Sequence, residues 1–215
     1  MLINYWMLFV ALVLLWFPRQ WLRAGKPLVA LPNVRRLLRT GRGPNDDALR
    51  WREELFKLRN WIDLFRGAIG AYALLYVCVD TVDGAAAVSG RTLLLLKAGV
   101  LLIAVLIQTT RYASGSLALV APVFFIFGLG FALNGWIAAL LAIITTCVLN
   151  RALRNVSIFL FVFAGVQIAF GLALKRSSSS VVLIAAVLTW LPVFWSLVTH
   201  RPLERAARQR DSLRS

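Results

Sequence analysis

Residues 117–149 read LALVAPVFFIFGLGFALNGWIAALLAIITTCVL, a run of 33 residues that holds no charged side chain. As one α-helix this run would be about 50 Å long, whereas the hydrocarbon core of a bilayer is about 30 Å thick. Asn134-Gly135, a turn-forming pair, interrupts the run near its middle. The sequence therefore predicts a tight hairpin of two helices, at 117–133 and 136–149. Two arrangements fit this hairpin: two full crossings of a membrane, or a re-entrant pair.

The composition predicts a membrane environment for the rest of the chain. Sixty per cent of the residues are hydrophobic and 15% are charged, whereas soluble domains have about 45–50% and about 25%. This balance excludes a disordered chain, a secreted disulfide scaffold and an ordinary soluble enzyme. Further apolar stretches approach the roughly 20 residues that a spanning helix needs: 2–17, 62–79, 92–109, 157–174 and 181–198. The sequence predicts an all-α, polytopic integral membrane protein, a seven-helix transmembrane bundle.

The positive charges predict the orientation of the chain, because cytoplasmic segments of membrane proteins carry an excess of Lys and Arg. With the N-terminus outside and seven crossings, 20 of the 24 basic residues lie inside. A single span over 117–149 would place the Arg-rich C-terminal tail outside, so the charges also favour the hairpin. We expect a multi-pass protein of the bacterial inner membrane in four parts. These are a first transmembrane helix at 1–17, a basic cytoplasmic segment at 18–61, a six-helix bundle at 62–198 and a basic cytoplasmic tail at 199–215.

The cytoplasmic segment 18–61 is amphipathic as well as basic. Trp51, Leu55, Leu58, Ile62 and Phe65 recur at steps of four, three, four and three, which is typical of one face of a helix. We expect a helix on the cytoplasmic surface that continues into the second span. Some of the neighbouring arginines are candidate contacts for anionic lipids, since each contributes about 1 kcal/mol near an acidic leaflet: Arg35, Arg36, Arg39, Arg50 and Arg52.

The same arginines have a simpler interpretation, in which their charge only retains the segment in the cytoplasm. A stacking groove for nucleic acid, formed by basic residues with Trp51 and Trp61, is a weaker alternative. A positive cytoplasmic face explains these residues without it, so no nucleic-acid partner is expected.

Polar residues within or beside the spans form a candidate polar site, because such residues are costly there. Lys97 lies about six residues into the third span, and Asp80 and Asp83 lie across a short loop where they can pair with it. The alternative is a lysine whose stem packs among leucines while its ammonium reaches the interface. Gln167 lies near the middle of the sixth span, where an amide usually forms a hydrogen bond to another helix.

One short motif resembles the opening of the CDP-alcohol phosphotransferase signature: Asp80-Thr-Val-Asp83-Gly84-Ala-Ala-Ala87. That signature continues with an Arg and two further Asp, which complete a metal site. Here Val88 stands in the place of the Arg, and no acidic residue follows until Glu204. The charge pattern also places both aspartates outside, whereas that chemistry uses cytosolic substrates. We therefore assign the chain to no family.

The sequence predicts no catalytic residue, metal ligand set or cofactor site, since two Cys and one His give no metal-ligand spacing. A non-enzymatic membrane component, which packs with membrane lipids, partner proteins or a second copy, is the leading function class. The first alternative is a small transporter or channel with a polar path near Lys97 and Gln167. The second alternative is a membrane-embedded enzyme.

Overall fold

Seven α-helices make up most of the part of the chain that the computed structural model describes. They are α1 (Tyr5–Trp16), α2 (Leu58–Tyr72), α3 (Gly90–Thr109), α4 (Val123–Leu133), α5 (Trp136–Leu149), α6 (Val156–Leu174) and α7 (Ser179–Val198). A π-helical segment, Ala73–Val77, continues α2. The described residues are 2–3, 5–18, 54–55, 57–77, 79–80, 90–113, 116–150, 153, 155–175, 177–201 and 203–204.

Each of the seven apolar stretches overlaps one of these helices, so the predicted helical class is confirmed. By length and composition, α3, α6 and α7 are long and apolar enough to cross a membrane. The predicted break at Asn134-Gly135 is also confirmed. Asn134 ends α4 by donating its backbone N–H to the Gly130 carbonyl, and Gly135 has a φ of 79°. That φ is readily adopted only by glycine.

Short strands join segments that are distant in the sequence. β1 (Leu2–Ile3) pairs antiparallel with β2 (Val79–Asp80). β3 (Thr110–Ala113) pairs antiparallel with β4 (Ser116–Val120), and β4 pairs in parallel with β5 (Leu203–Glu204). The register brings Leu119 opposite Leu203, so the chain beyond α7 returns to the β3–β4 hairpin.

The prediction that a helix begins at Leu117 is wrong, because residues 117–120 lie in β4 and α4 begins only at Val123. Pro122 explains the difference. A proline has no N–H to donate to a preceding turn, and it disfavours the helical conformation of the residue before it. The helix therefore cannot extend backwards past Pro122, and the residues before it pair with β3 and β5 instead.

α4 is the central element of the bundle. Every residue of this helix except Phe131 is buried, as expected for a helix that is apolar on all sides. It packs against α2, α5 and α7. Phe127 lies among the rings of Phe159 and Phe163 on α6, with ring centroids 6.2 Å and 4.8 Å away.

The closest approach in the bundle is between α2 and α4, and it depends on two glycines. A Cβ at Gly67 would lie 2.6 Å from the Phe125 carbonyl oxygen, and a Cβ at Gly128 would lie 2.2 Å from the Leu64 carbonyl oxygen. Both obstacles are backbone atoms, which cannot move aside as a flexible side chain can. Small residues that let two backbones meet are typical of helix packing in membranes.

The two faces of α2 are reversed relative to a helix of a soluble protein. Its buried side includes Asn60, Asp63 and Arg66, whereas its exposed side is apolar and aromatic: Leu58, Trp61, Ile62, Phe65, Ile69 and Tyr72. Helices on the surface of soluble domains bury the apolar face and expose the charged one. α2 therefore supplies the bundle with a polar interior surface.

Candidate functional site

The main polar cluster of the described residues lies where the C-terminal end of α1 meets α2 and α3. Asp63 and Arg66 are three residues apart on α2, a spacing that places both side chains on one helix face. Gln108 approaches from the last turn of α3. Asp63 is 1% exposed, Arg66 6% and Gln108 3%, so the cluster is almost completely enclosed.

Arg66 connects the three helices. Its Nη2 atom lies 3.0 Å from Asp63 Oδ1 and 3.0 Å from Gln108 Oε1, and its Nη1 atom donates to the Phe17 carbonyl. The guanidinium carbon lies 6.0 Å from the centre of the Phe17 ring and 5.6 Å from that of Phe125. The cation is thus held by an anion, two oxygen acceptors and two aromatic rings, which all stabilise its charge.

Gln108 and Arg66 together cap the end of α1. The Nε2 atom of Gln108 donates to the Leu15 carbonyl at 3.1 Å and to the Phe17 carbonyl at 2.8 Å. The last carbonyls of a helix have no partner within that helix. They also carry the negative end of the helix dipole, which interacts favourably with the positive charge of Arg66. We call this arrangement the Arg66 clasp: Asp63, Arg66, Gln108 and the carbonyls of Leu15 and Phe17.

A second polar group precedes the clasp at the start of α2. Asn60 donates from its Nδ2 atom to the Glu54 carbonyl at 2.8 Å and to Glu54 Oε2 at 2.8 Å, and Lys57 forms an ion pair with Glu54. These bonds fix the entry into α2, whose N-cap residue Lys57 forms no side-chain hydrogen bond to the first turn.

The polar groups of the clasp and of the start of α2 hold parts of the chain in fixed positions. Each bond described above joins one part of the chain to another, and among the described residues no group of three or more His, Cys, Asp or Glu can hold a metal ion. The arrangement orients a cation and closes a helix end. It presents no nucleophile with an adjacent base.

Lys97 is buried, and its ammonium donates to the Leu75 carbonyl at 2.6 Å. Leu75 belongs to the π-helical segment that continues α2, so this bond joins α3 to the end of α2. The predicted pairing of Lys97 with Asp80 or Asp83 stays a prediction. The side chain of Asp80 and the whole of Asp83 lie outside the described residues.

Gln167 lies in a different part of the bundle, between α4 and α7. Its Oε1 atom accepts a hydrogen bond from Thr189 of α7 at 3.1 Å, which is the interhelical bond expected of a buried amide. Its Nε2 atom lies against Gly130 of α4, where a Cβ would be only 2.9 Å away. Lys97 therefore bonds to the end of α2, whereas Gln167 bonds to α7.

The candidate lipid contacts Arg35, Arg36, Arg39, Arg50 and Arg52 also lie outside the described residues. Asp63 and Gln108 were not predicted as site residues, Asn134 was predicted only as part of the turn, and Arg66 was counted only among the cytoplasmic charges. One signal for the clasp was available, because Asn60, Asp63 and Arg66 recur every three residues opposite the apolar stripe of Leu58, Ile62 and Phe65.

Comparisons of the chain with protein-family models, with curated proteins and with solved structures found no match.

Proposed function

We propose that the chain is a seven-span integral membrane protein that acts as a non-enzymatic membrane component, packing with lipids or partner proteins. The reversed faces of α2 carry this proposal. An aromatic and aliphatic face turned outward is stable in lipid, whereas the charged face needs partners within the bundle. α2 and its π-helical segment comprise 20 residues, or about 30 Å at helical rise, which matches the hydrocarbon core.

The contacts at the two ends of α4 support full crossings by the hairpin. Ser177, in the loop between α6 and α7, donates from its hydroxyl to the Leu133 carbonyl at the end of α4 at 2.8 Å. At the other end, β4 pairs with β5 beyond the C-terminus of α7. The segment from β4 to Leu133 thus extends between the same two levels as α7. Strand backbone is tolerated at such depth because β3 and β5 pair with it.

The structural character of the polar groups favours a component over an enzyme. Arg66, Gln108 and Lys97 each donate to a backbone carbonyl at or near a helix end. These hydrogen bonds join the helices of the bundle to one another. The anionic-lipid contacts proposed for the cytoplasmic arginines would then fix the bundle to the inner leaflet.

Spin labels on α2 test this proposal directly. Phe65 and Ile69 are 56% exposed on the outer face of α2, whereas Ala71 on the inner face is fully buried. In bilayers, labels at F65C and I69C should be accessible to oxygen dissolved in lipid and inaccessible to a water-soluble nickel chelate. The label at A71C should be inaccessible to both. Nickel access at Ile69 would show that α2 faces water and would refute the membrane assignment of this helix.

A small transporter is the second candidate, and one observation favours it. Asn134 and Gln167 place buried amides beside the break between α4 and α5, and transporters bind substrates at interrupted helices. Uptake of small neutral solutes into proteoliposomes tests this alternative. Uptake that Gln167→Leu abolishes without loss of folded protein would favour transport over the packing role.

A further inference from the structure

We propose that Gly130, Asn134 and Gln167 form a buried binding site for one water molecule, which we call the amide site. The Asn134 amide lies at the C-cap of α4 and the Gln167 amide lies on α6, and both residues are 1% exposed. This inference does not depend on the proposed membrane role, because it follows from the hydrogen bonds within the bundle alone.

The side-chain oxygen of Gln167 forms a hydrogen bond, whereas its side-chain nitrogen is available for another. Its oxygen accepts from the Thr189 hydroxyl, which also lies within hydrogen-bond distance of the Ala185 carbonyl. Its Nε2 atom then points towards α4 and has no hydrogen-bond partner among the described residues. Only a glycine at position 130 leaves room there, since a Cβ would come within 2.9 Å of this nitrogen.

Asn134 lies on the same face of α4, one turn after Gly130. Its backbone N–H donates to the Gly130 carbonyl at 2.9 Å, so the two residues are consecutive along the helix face. Helical side chains lean towards the N-terminus, which directs the Asn134 amide back over Gly130. Neither Nδ2 nor Oδ1 of Asn134 has a hydrogen-bond partner among the described residues.

The separation of the two amides suits a single bridging molecule. Cβ positions four residues apart on a helix are about 5–6 Å apart, and the Asn134 amide extends from its Cβ back towards Gly130. A water that bridges two polar atoms spans about 5–6 Å, the sum of two hydrogen bonds. We therefore expect the amides of Asn134 and Gln167 to lie one bridging water apart.

The donors and acceptors define the chemistry of the occupant. The site offers two N–H donors, Gln167 Nε2 and Asn134 Nδ2, and one acceptor, Asn134 Oδ1. A buried water typically forms about three hydrogen bonds to groups that the protein leaves unsatisfied. Water can accept both N–H groups and donate to the oxygen. An unpaired buried amide would otherwise cost about 1–3 kcal/mol.

Water-edited solid-state NMR of the ¹⁵N-labelled full chain in bilayers tests the site. Magnetisation should pass rapidly from water to the side-chain amides of both Asn134 and Gln167. Gln108 is the matched control, because it is equally buried but donates its amide to the Leu15 and Phe17 carbonyls. Its amide should receive little magnetisation. Gly130→Ala, which places a methyl group in the site, should reduce the transfer at both amides.

The wild-type spectrum decides the outcome even if Gly130→Ala fails to fold. Rapid transfer to both amides, with a slow signal at Gln108, supports a shared bound water. Slow transfer at Asn134 and Gln167 overturns the proposal. Transfer to only one of them overturns the shared site, and equal transfer to Gln108 also overturns it, because the signal then reports general exchange with solvent.

Discussion

Arg66 holds the end of α1 through contacts that span the chain. It bonds to Asp63 on its own helix, to Gln108 on α3 and to the Phe17 carbonyl that follows α1. Truncating one member of a buried ion pair leaves the other charge without compensation, and that costs more than the pair contributes when both are present. The contribution of the Arg66 clasp to the free energy of unfolding is therefore best measured by removing one partner of the ion pair and then both.

Arg66→Met should lower the free energy of unfolding by about 3–5 kcal/mol, because it leaves the Asp63 carboxylate buried beside an apolar side chain. The double variant Asp63→Leu with Arg66→Met should be more stable than Arg66→Met alone. Thermal unfolding in detergent, followed by tryptophan fluorescence, measures both. Lys175→Met, at an exposed loop cation, serves as the control and should change stability little. A double variant less stable than Arg66→Met would contradict this account.

A neutral and a negatively charged replacement of Lys97 show how much the charge at this position matters for stability. Lys97→Met loses the bond to the Leu75 carbonyl, but it also removes the cost of burying an ammonium, so we expect a loss under about 1 kcal/mol. Lys97→Asp loses the same bond and buries a carboxylate in place of the ammonium, and it should cost at least about 2 kcal/mol. Folded yield and unfolding midpoint report the difference. Equal losses for the two variants would show that charge plays no part at this position.

At the scale of elements, side chains from other elements close the C-terminal ends of three of the described helices. Gln108 and Arg66 close α1, and Lys97 bonds to the π-helical end of α2. Tyr76 and Ser177 donate to the Ala132 and Leu133 carbonyls at the end of α4, at 3.4 Å and 2.8 Å. A helix end away from water needs such partners, because each unsatisfied carbonyl is costly. Short helices are therefore stable here only within the assembled bundle.

The contact between α2 and α4 should be the least tolerant of added volume. Gly128→Ala places a methyl group against the Leu64 backbone and should cost about 3 kcal/mol. Gly165 on α6 is the matched control, because a Cβ there meets no atom within 4 Å. Gly165→Ala should be neutral or stabilising by up to about 1 kcal/mol, the usual gain for alanine within a helix. The two unfolding midpoints, measured side by side, test the contact; equal midpoints would refute it.

At the scale of the whole molecule, hydropathy was sufficient to predict where the helices lie, since apolar length and the Asn134-Gly135 turn are local signals. The polar contacts were not predictable in the same way. Arg66 and Gln108 are 42 residues apart, and Gln108 and Phe17 are 91 apart. Only the packing of α1, α2 and α3 brings them together. The same holds for β4, because its partner β5 lies beyond four further helices.

The threading of the whole chain gives the last prediction. In the seven-span arrangement the turn before Trp136, the loop at Ser178 and the N-terminus lie outside, and the tail lies inside. This orientation leaves 19 of the 24 basic residues cytoplasmic when the buried Arg66 is not counted. Trp136 is 61% exposed at the start of α5. In a background with Cys78 and Cys147 replaced by serine, an impermeant thiol reagent added outside should label W136C and S178C, but not S215C. After the membrane is opened, S215C should label as well.

A re-entrant hairpin that begins and ends inside would leave W136C unlabelled from outside. The bond between Ser177 and the Leu133 carbonyl, which places the hairpin turn level with the α6–α7 loop, argues for the full crossing.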